Sequence, residues 1–444
     1  MTINLPEYVK TALDMLNDSG FEAYIVGGCV RDSFLNKAPH DWDITTSALP
    51  EQTLKVFSDF RTIETGLKHG TVTVMIDKNP LEITTMRRDG KYTDNRHPDS
   101  VEFTSAITED LSRRDFTINA IAYSEKSGIC DPFGGYDDIK NRIIRCVGDA
   151  DKRFGEDALR IFRAVRFSSI LGFSIEEKTA QSVLKNREKL KNVSAERIRS
   201  ELIKTLCGKD AKKILMDFAP VIFTAIPELE PLYKYPQNTP YHIYDIWEHT
   251  VVSVDSIKPE PQLRMTMLLH DIGKPDMHTT DENGIDHFKL HQQASYEKSL
   301  VILKRLKFSK ADTEEISTLI LYHDLRPTGE KKNTLRLASK YGAETLKRLY
   351  DVFRADAMAQ NPANLQSVLE RIESSERYLD EAVAQKSCLT LKDLAINGND
   401  VKSLGYKGET IGVILNDVLE KIVDGEMPNS KAEMLDYIKS NYEV

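Results

Sequence analysis

The 444-residue sequence predicts an α+β protein, with strands and helices mixed over residues 1–145 and helices from there onward. Short runs rich in β-branched residues, separated by Gly, Pro, Asn or Asp, occur in the first third and are typical of strands. After residue 145 the 3.6-residue periodicity of helices dominates. Hydrophobic residues make up 40% of the chain and charged residues 29%, which is ordinary for a globular protein and argues against disorder.

The individual elements follow from local patterns. Residues 7–17 have the spacing of a short amphipathic helix. Strands are predicted over residues 23–26, 42–47, 69–76, 81–87 and 100–105. The first of these strands ends in a glycine pair, which predicts a turn. Residues 156–173 predict one long helix, and helical patterns continue from there to the C-terminus.

The length and the charge of the chain limit how many domains it can form and what it can bind. At about 150 residues per domain we expect about three domains, and we divide the chain into the segments 1–145, 146–215, 216–362 and 363–444. The formal charge of −9 argues against a protein that coats nucleic acid by bulk charge. Residues 140–213 nevertheless hold 19 Lys and Arg against 10 Asp and Glu. This helical stretch is either a track for a phosphate backbone or a solvated face with internal ion pairs.

The sequence also indicates where the protein works. Its first residues lack a positively charged start followed by an apolar run, so we expect no secretory signal. No stretch approaches the roughly 18 apolar residues that a membrane helix needs. The five cysteines are scattered and form no CxxC pair, which favours reduced thiols. We therefore expect a cytoplasmic protein without membrane contact and leave its oligomeric state open.

Residues 27–44 carry the strongest chemical signal. Asp41 and Asp43 are separated by one residue on a predicted strand, so their carboxylates are expected on one face. Two like charges this close repel unless cations lie between them, and paired Mg²⁺ ions in phosphoryl-transfer enzymes are held in this way. Upstream, Gly27 and Gly28 allow backbone N–H groups to approach a triphosphate. Arg31 then follows on a predicted helix and either binds phosphate or pairs with a carboxylate.

This stretch resembles the catalytic motif of polymerase-β-type nucleotidyltransferases. It is most similar to the bacterial tRNA nucleotidyltransferases that add CCA and to their poly(A) polymerase relatives, the second class of these enzymes. The resemblance continues, in the same order, through residues 65–74, 81–98, 111–123, 131–139, 156–167 and 394–415. It implies a polymerase-β-like head over residues 1–145, an all-α neck to 215, a helical body and a helical tail that binds tRNA.

The resemblance also implies roles for single residues. Asp41 and Asp43 would be catalytic and hold Mg²⁺, and Glu82 would be a third acidic group unless it only pairs with a nearby arginine. Residues expected at the nucleotide are Gly28, Arg31, Arg113, Arg114, Asp115, Asn119, Asp157, Arg160, Arg163 and Arg166. Residues 89–98 resemble the flexible loop with which the family switches from C to A, and their full length favours complete CCA addition.

Asp157 and Arg160 are three residues apart in the predicted helix and would share a face. One interpretation is an ordinary ion pair within the helix. The other is base recognition, because a carboxylate only accepts hydrogen bonds and a guanidinium only donates them. Cytosine and adenine both offer an amino donor beside a ring-nitrogen acceptor, whereas uracil and guanine offer the reverse order. The family resemblance favours this second interpretation, in which protein side chains act as the template.

A second chemical pattern lies in the middle of the chain. His270 and Asp271 are adjacent after an apolar helical run, which resembles the HD superfamily, and His249 and Asp356 supply the partners that the superfamily needs. This mixed nitrogen and oxygen set suits Mn, Fe, Ni, Co or Mg rather than structural zinc. Further ligands or substrate contacts are expected among His287, His291 and His323. The resemblance implies a phosphohydrolase acting on 2′-phosphates or 2′,3′-cyclic phosphates, or a fold that has lost turnover.

The sequence therefore predicts template-independent addition of CCA to the 3′ end of tRNA from CTP and ATP, with Mg²⁺ and release of pyrophosphate. An A-adding enzyme or a poly(A) polymerase with the same head is the nearest alternative. Two further alternatives are a nucleotide phosphohydrolase working at the HD site and an RNA-binding module with a dead active site. The intact acidic and arginine motifs argue against the last of these.

Overall fold

The computed structural model describes residues 3–64, 66–67, 70–90 and 101–443 of the chain, except the side chain of Asp89. It confirms the predicted α+β class, with a mixed sheet in the N-terminal part and helices in the C-terminal part. The chain folds into two compact units, and the first unit ends at Pro227. The division into four segments stays a prediction.

The described part of the first unit contains a seven-stranded mixed sheet. Its strands, in the order β3-β4-β5-β2-β1-β8-β9 across the sheet, are β1 (Ala23–Val26), β2 (Asp43–Thr46), β3 (Arg61–Ile63), β4 (Thr71–Ile76), β5 (Asn79–Thr85), β8 (Ala122–Ser124) and β9 (Gly128–Cys130). Two small ladders pair β6 (Arg87–Asp89) with β7 (Val101–Phe103), and β10 (Ile143–Ile144) with β11 (Ser174–Ile175). The predicted strands correspond to β1, β2, β4, β5 with β6, and β7, but the stretch 81–87 is interrupted at Met86, and residues 69 and 100 lie outside the described residues.

Burial follows position in the sheet. β1 lies between β2 and β8 and is buried at all four of its residues. β4 instead alternates half-buried and buried residues, with Val72, Val74 and Ile76 in the core, as a strand with one covered face does. β2 pairs in parallel with β5, whereas the other pairs in the sheet are antiparallel. This parallel pair brings residues far apart in sequence side by side.

Helices pack around the sheet and then form the rest of the first unit. They are α1 (Glu7–Asp18), α2 (Gly28–Phe34), α3 (Pro50–Val56), α4 (Ile107–Ser112), α5 (Gly135–Asn141), α6 (Ala150–Glu156), α7 (Leu159–Leu171), α8 (Glu177–Asn186), α9 (Ala195–Leu206), α10 (Ala211–Asp217) and α11 (Ala219–Ala225). Short 3₁₀ helices occur in both units. They span Thr117–Asn119, Arg187–Asn192, Pro227–Leu232, Lys274–Met277 and Leu391–Asp393. The predicted helix over residues 7–17 is confirmed.

The prediction of one helix over residues 156–173 is wrong. α6 ends before Asp157, whose backbone is extended (φ −133°, ψ 106°), and α7 starts at Leu159. α7 then ends at Leu171 because Gly172 adopts a left-handed conformation (φ 68°) that suits a glycine. The break places Asp157 in a connection between two helices rather than on a helical face.

The second unit is helical apart from one short ladder, β12 (Thr279–Thr280) with β13 (Asp286–His287). Its helices are α12 (Ile246–Ser256), α13 (Pro261–Leu269), α14 (His291–Arg305), α15 (Lys310–Tyr322), α16 (Lys331–Tyr341), α17 (Ala343–Met358), α18 (Pro362–Ala384), α19 (Gly398–Ser403), α20 (Glu409–Val423) and α21 (Lys431–Asn441). α19, α20 and α21 bury a core of their own around Ile414, Val418 and Ile438. In the described residues, no helix has the length and apolar character needed to cross a bilayer.

Gly135, the first residue of α5, offers a test of the packing in the first unit. A Cβ atom at this position would lie 2.1 Å from the carbonyl oxygen of Thr117, which is backbone and cannot rotate away. We expect Gly135→Ala to lower the free energy of unfolding by about 1–3 kcal/mol through overpacking. The measurement is urea unfolding followed by Trp42 fluorescence in a Trp247→Phe background, because these are the two tryptophans of the chain.

Gly155→Ala is the matched control. Gly155 lies within α6, and an added Cβ would meet only the flexible end of Lys189, at 3.6 Å. Removing a helical glycine should therefore leave the stability unchanged or raise it by up to about 1 kcal/mol. Equal effects of the two substitutions would contradict the packing described for α5.

Two candidate active sites

The first candidate site forms at the start of β2. Asp43 begins this strand and is the direct register partner of Glu82 on the parallel neighbour β5. Burial raises the pKa of the Asp43 carboxyl, and the negative charges of Glu82 and Asp41 raise it further. The carboxylates of Glu82 and Asp41 therefore lie close enough to Asp43 to act on its ionisation.

Asp41 is placed differently from the prediction. It lies in the bend that precedes β2 rather than on the strand, its side chain is 83% exposed, and its Oδ1 atom lies 2.9 Å from Nδ1 of His40. Glu82 is also exposed. All three residues offer carboxylate oxygens, the ligands that Mg²⁺ prefers. The donor chemistry therefore suits a magnesium ion, although these three residues do not form a group in which all ligand atoms lie within 4.8 Å of one another.

A glycine turn brings two guanidinium groups beside these acids. Gly27 follows β1 with φ 83°, and a Cβ atom there would lie 3.0 Å from Nη1 of Arg114. At Gly28 the corresponding atom would lie 3.6 Å from Nη2 of Arg31. Arg31 is mostly buried and also donates to Asp32 Oδ1 over 2.9 Å and to Asn119 Oδ1 over 2.6 Å. The turn favours glycine at position 27 because its φ of 83° is a conformation that residues with a side chain rarely adopt.

Asp115 ties this turn to α7. Its Oδ1 accepts from Asn119 Nδ2 at 3.2 Å, and its Oδ2 accepts from Arg163 Nε at 2.8 Å. Burial raises the pKa of the Asp115 carboxyl, but the positive charges of Arg163 and Arg160 outweigh burial and hold that pKa well below its usual range. Asp115 is therefore ionised in the folded protein, and it positions the arginines rather than exchanging protons.

Phe167 was not predicted as a site residue, yet three of the arginines gather on its ring. The guanidinium carbons of Arg31, Arg163 and Arg166 lie 5.2, 5.3 and 3.9 Å from the ring centroid. Each distance is within the range of a cation–π contact. Arg166 also pairs with Glu201 over 2.5 Å. The aromatic residue that ends the arginine-rich segment therefore holds the cationic side chains in place.

Asp157 and Arg160 do not form the ion pair within one helix that was one interpretation of their spacing. Asp157 instead accepts from Arg197 of α9, with Nη2 and Oδ2 3.1 Å apart. Arg160 donates to Glu156 Oε2 over 2.9 Å and to the carbonyl oxygen of Arg113 over 2.8 Å. Each member of the predicted base-reading pair is therefore fixed by its own partner.

The remaining predictions for this site are met only in part. The side chain of Arg113 pairs with Asp110, whose Oδ1 atom lies 2.8 Å from its Nη2 atom. Arg114 contacts the same carboxylate at 3.4 Å. Residues 91–98 of the predicted switching loop lie outside the described residues. Sequence reasoning missed Arg197 and Glu156, because only the fold of α9 against α7 brings Arg197 to a residue 40 positions away.

The second candidate site lies in the second unit and centres on Asp271. The carboxylate Oδ2 atom is 3.4 Å from Nε2 of His249 and 3.3 Å from Nε2 of His270. The Oδ1 atom is 3.3 Å from Nε2 of His291 and 3.6 Å from Nε2 of His323. Two groups of three potential ligands therefore share one carboxylate, and within each group the ligand atoms lie within 4.8 Å of one another.

Asp356 completes the predicted set, with its Oδ1 atom 2.9 Å from Nε2 of His249. Of the three additional histidines, His291 and His323 join the site. His287 does not join the ligand cluster: it is half-buried, pairs with Asp281 and lines the cavity beside the cluster. No other three-residue group of this kind occurs in the described parts of the chain.

The four histidines are oriented in the same way. Each places its Nδ1 atom against a backbone carbonyl oxygen at 2.6–3.1 Å, which leaves Nε2 to point at Asp271. The carbonyl oxygens belong to Ala359 for His249, Met267 for His270, Phe288 for His291 and Ile320 for His323. A hydrogen bond of this kind fixes the tautomer of metal-binding histidines.

Electrostatics also favours a cation at this site. Burial lowers the pKa of His270, but the carboxylates of Asp271 and Asp356 outweigh it and raise that pKa to about 10. Asp271 Oδ2 is buried and lacks a hydrogen bond of good geometry, although Nζ of Lys274 lies 2.7 Å away. The residues thus fit one or two divalent metal ions with nitrogen and oxygen ligands. Metal binding would displace the proton on His270.

A cavity of about 440 Å³ opens on this cluster. Asp271, His291, His323 and Asp356 contribute to its wall. Basic side chains line it too, namely Lys274, Lys289 and Arg326. Its volume is within the range of about 300–1,000 Å³ that is usual for small-molecule sites. The arrangement suits a small anion or phosphoester placed against bound metal.

Three family models match the chain. "Poly A polymerase head domain" matches residues 23–145, "Probable RNA and SrmB- binding site of polymerase A" matches residues 172–229, and "tRNA nucleotidyltransferase domain 2" matches residues 278–438. A CCA-adding enzyme of Lactobacillus delbrueckii subsp. bulgaricus is 51% identical over 206 residues, which span 46% of this chain and 52% of that protein. The match therefore covers about half the length of that relative.

Two other comparisons extend along the whole chain. The Bacillus stearothermophilus CCA-adding enzyme, solved in complex with CTP, superposes with a TM-score of 0.70 at 28% identity, over 98% of this chain and 96% of that one. A CCA-adding enzyme of Lactobacillus helveticus is 34% identical over 439 residues, which are 96% of this chain and 95% of that protein. On this full-length similarity, the chain belongs to the family of CCA-adding enzymes.

Proposed function

We propose that this protein adds CCA to the 3′ end of tRNA, using CTP twice and then ATP. The observation that carries the proposal is that Asp43 and Glu82 are register partners on β2 and β5, near the glycine turn, in a chain of the CCA-adding family. The 3′-hydroxyl oxygen of the tRNA would bond to the α-phosphorus of the nucleotide while its proton passes to solvent. Pyrophosphate would leave as the bond between the α-phosphorus and the bridging oxygen breaks. Asp41, Asp43 and Glu82 would hold Mg²⁺, which lowers the charge of the phosphates and of the attacking oxygen.

The protein's own side chains would hold the nucleotide. Arg31 and Arg114 lie next to the glycine turn, where charge-assisted hydrogen bonds to a triphosphate are strong. Asp115 and Asn119 keep Arg31 and Arg163 in place through the bonds described above. Basic side chains of the neck, together with the helical tail, would contact tRNA. The proposed compartment is the cytoplasm.

Base selection would rest on Asp157 and Arg160. Asp157 would accept from the amino group of cytosine or adenine, and Arg160 would donate to the neighbouring ring nitrogen. Uracil or guanine would leave buried polar groups unpaired, at about 1–3 kcal/mol each. Arg197 and Glu156 hold the two groups in position and would prevent them from neutralising each other. The alternative is an A-adding enzyme or a poly(A) polymerase, which would add adenosine from ATP and would not need to use CTP.

The acidic site gives the first prediction for this function. We expect Asp43→Asn to lower the rate of nucleotide addition at least about 100-fold, because one charge that binds the metal is lost while the shape is kept. Glu82→Gln should also lower the rate, since its carboxylate adjoins Asp43. The measurement is extension of a tRNA that lacks its last three nucleotides, resolved to single nucleotides.

Asp59→Asn is the control for charge, because Asp59 is an exposed acid elsewhere in the same unit. It should extend tRNA at the unaltered rate. Full activity of Asp43→Asn would exclude this site as the catalytic centre, and full activity of Glu82→Gln would remove Glu82 from the metal set.

The base-reading pair gives the second prediction. We expect Asp157→Ala to lower kcat/KM for CTP and for ATP about 10- to 100-fold, as loss of one buried hydrogen bond does. Preference over UTP should fall as well. Arg197→Ala should act in the same direction but less strongly, because it only holds Asp157. Single-turnover incorporation of each nucleotide measures these effects.

The control for this series is Glu188→Ala, which removes an exposed carboxylate that pairs with Lys191. It should incorporate all four nucleotides as the unaltered protein does. If Asp157→Ala lost activity without any change in preference between CTP and UTP, Asp157 would be structural rather than a reader of the base.

A second function is favoured by the cluster of four histidines and two aspartates in the second unit. We infer a metal-dependent phosphohydrolase of the HD type, acting on 2′-phosphates or 2′,3′-cyclic phosphates. Water attacks phosphorus, the bond to a ribose oxygen breaks, and that oxygen takes a proton. Mn, Ni, Co or Fe would suit the mixed nitrogen and oxygen ligands. A metal here would polarise the phosphate.

This function is tested with 2′,3′-cyclic AMP as substrate. We expect protein loaded with Mn²⁺ or Ni²⁺ to hydrolyse it, and treatment with a chelator to remove the activity. Asp271→Asn should abolish turnover because both ligand groups share Asp271. Asp43→Asn should keep this activity while losing tRNA extension. Hydrolysis that survives in Asp271→Asn would arise from a different site.

A further inference from the structure

We propose that Tyr241 stacks on a nucleobase at the mouth of the histidine-lined cavity, so that this site selects nucleotides over phosphoesters without a base. The proposal rests on the phosphohydrolase function inferred above. Tyr241 lines the same cavity as Asp271 and Asp356, yet its side chain is 59% exposed. An aromatic ring left open to solvent at a polar cavity is well suited to receive the flat face of a base.

The backbone around Tyr241 is firmly held. Its carbonyl oxygen accepts from the backbone N–H of Asn361 over 2.8 Å, and Asn361 Nδ2 donates to the carbonyl oxygen of Pro240 over 3.1 Å. The Tyr241 N–H donates to Thr239 Oγ1 over 3.3 Å. Asn361 caps α18 and follows the ligand Asp356 by five residues. The backbone that carries the exposed ring is therefore held before any ligand binds, which lowers the entropy cost of stacking.

The rest of the cavity wall complements a nucleotide as well. Lys274 Nζ lies 2.7 Å from the carboxylate of Asp271, and Lys289 and Arg326 line the same space. These cations and the metal ligands suit the phosphate group. A small phosphoester such as a glycerol phosphate would use this polar part alone and leave the ring of Tyr241 uncovered. A nucleotide would use both parts within the cavity of about 440 Å³.

The experiment compares two probes on the full chain loaded with Mn²⁺, 2′,3′-cyclic AMP and the base-free glycerol 1,2-cyclic phosphate. We expect Tyr241→Ala to raise KM for cyclic AMP about tenfold, since stacking on one base is worth about this much, and to change KM for the base-free probe less than twofold. Tyr241→Phe keeps the ring and should behave as the unaltered protein. Tyr233→Ala is the matched control, because Tyr233 is 46% exposed in the same unit but does not line the cavity.

The outcomes separate this inference from the function beneath it. Three results would overturn the stacking role and leave the phosphohydrolase function intact. They are an equal rise of KM for both probes in Tyr241→Ala, an unchanged KM for cyclic AMP in that variant, and a raised KM for cyclic AMP in Tyr241→Phe. Hydrolysis of neither probe by the unaltered protein would overturn the phosphohydrolase function, and the stacking role with it. A KM for cyclic AMP that rises in Tyr241→Ala but not in Tyr241→Phe, with an unchanged KM for the base-free probe, is the result that the proposal predicts.

Discussion

The first unit depends on the buried carboxylate of Asp115. Through Asn119 it reaches Arg31 at the glycine turn, and through Arg163 it reaches α7, the helix that follows Asp157. One ionised group therefore connects the glycine turn after β1 to the helix α7. Removing one partner of such a buried pair typically costs about 3–5 kcal/mol, because the other charge is left unpaired. Stability therefore depends strongly on this position.

Asp271 has the equivalent place in the second unit. Its two oxygens face different pairs of histidines, and backbone carbonyls aim all four rings at it. The carboxylates of Asp271 and Asp356 raise the pKa of His270 to about 10. A divalent cation bound here would replace the proton on that histidine. The close gathering of ligands is thus a property of the second site, where two groups of three share Asp271.

Much of this could be predicted from sequence, because local patterns carry it. β-Branched runs predicted the strands of the head, and adjacency of His270 and Asp271 predicted the cluster. Contacts between distant elements could not be predicted. The partnership of Arg197 with Asp157 needs α9 to pack on α7, and the arginines on Phe167 need the head to meet the same helix. The break at Asp157 was missed because the apolar spacing continues across it, while the extended backbone at that residue ends α6.

The central claim is that side chains of the protein choose the nucleotides. The most direct test supplies purified protein and Mg²⁺ with a tRNA lacking its last three nucleotides, giving each nucleoside triphosphate alone and then CTP with ATP. The account predicts two additions with CTP alone, three with both, and none with UTP or GTP. Extension by ATP alone in long runs, or equal use of UTP and CTP, would contradict it.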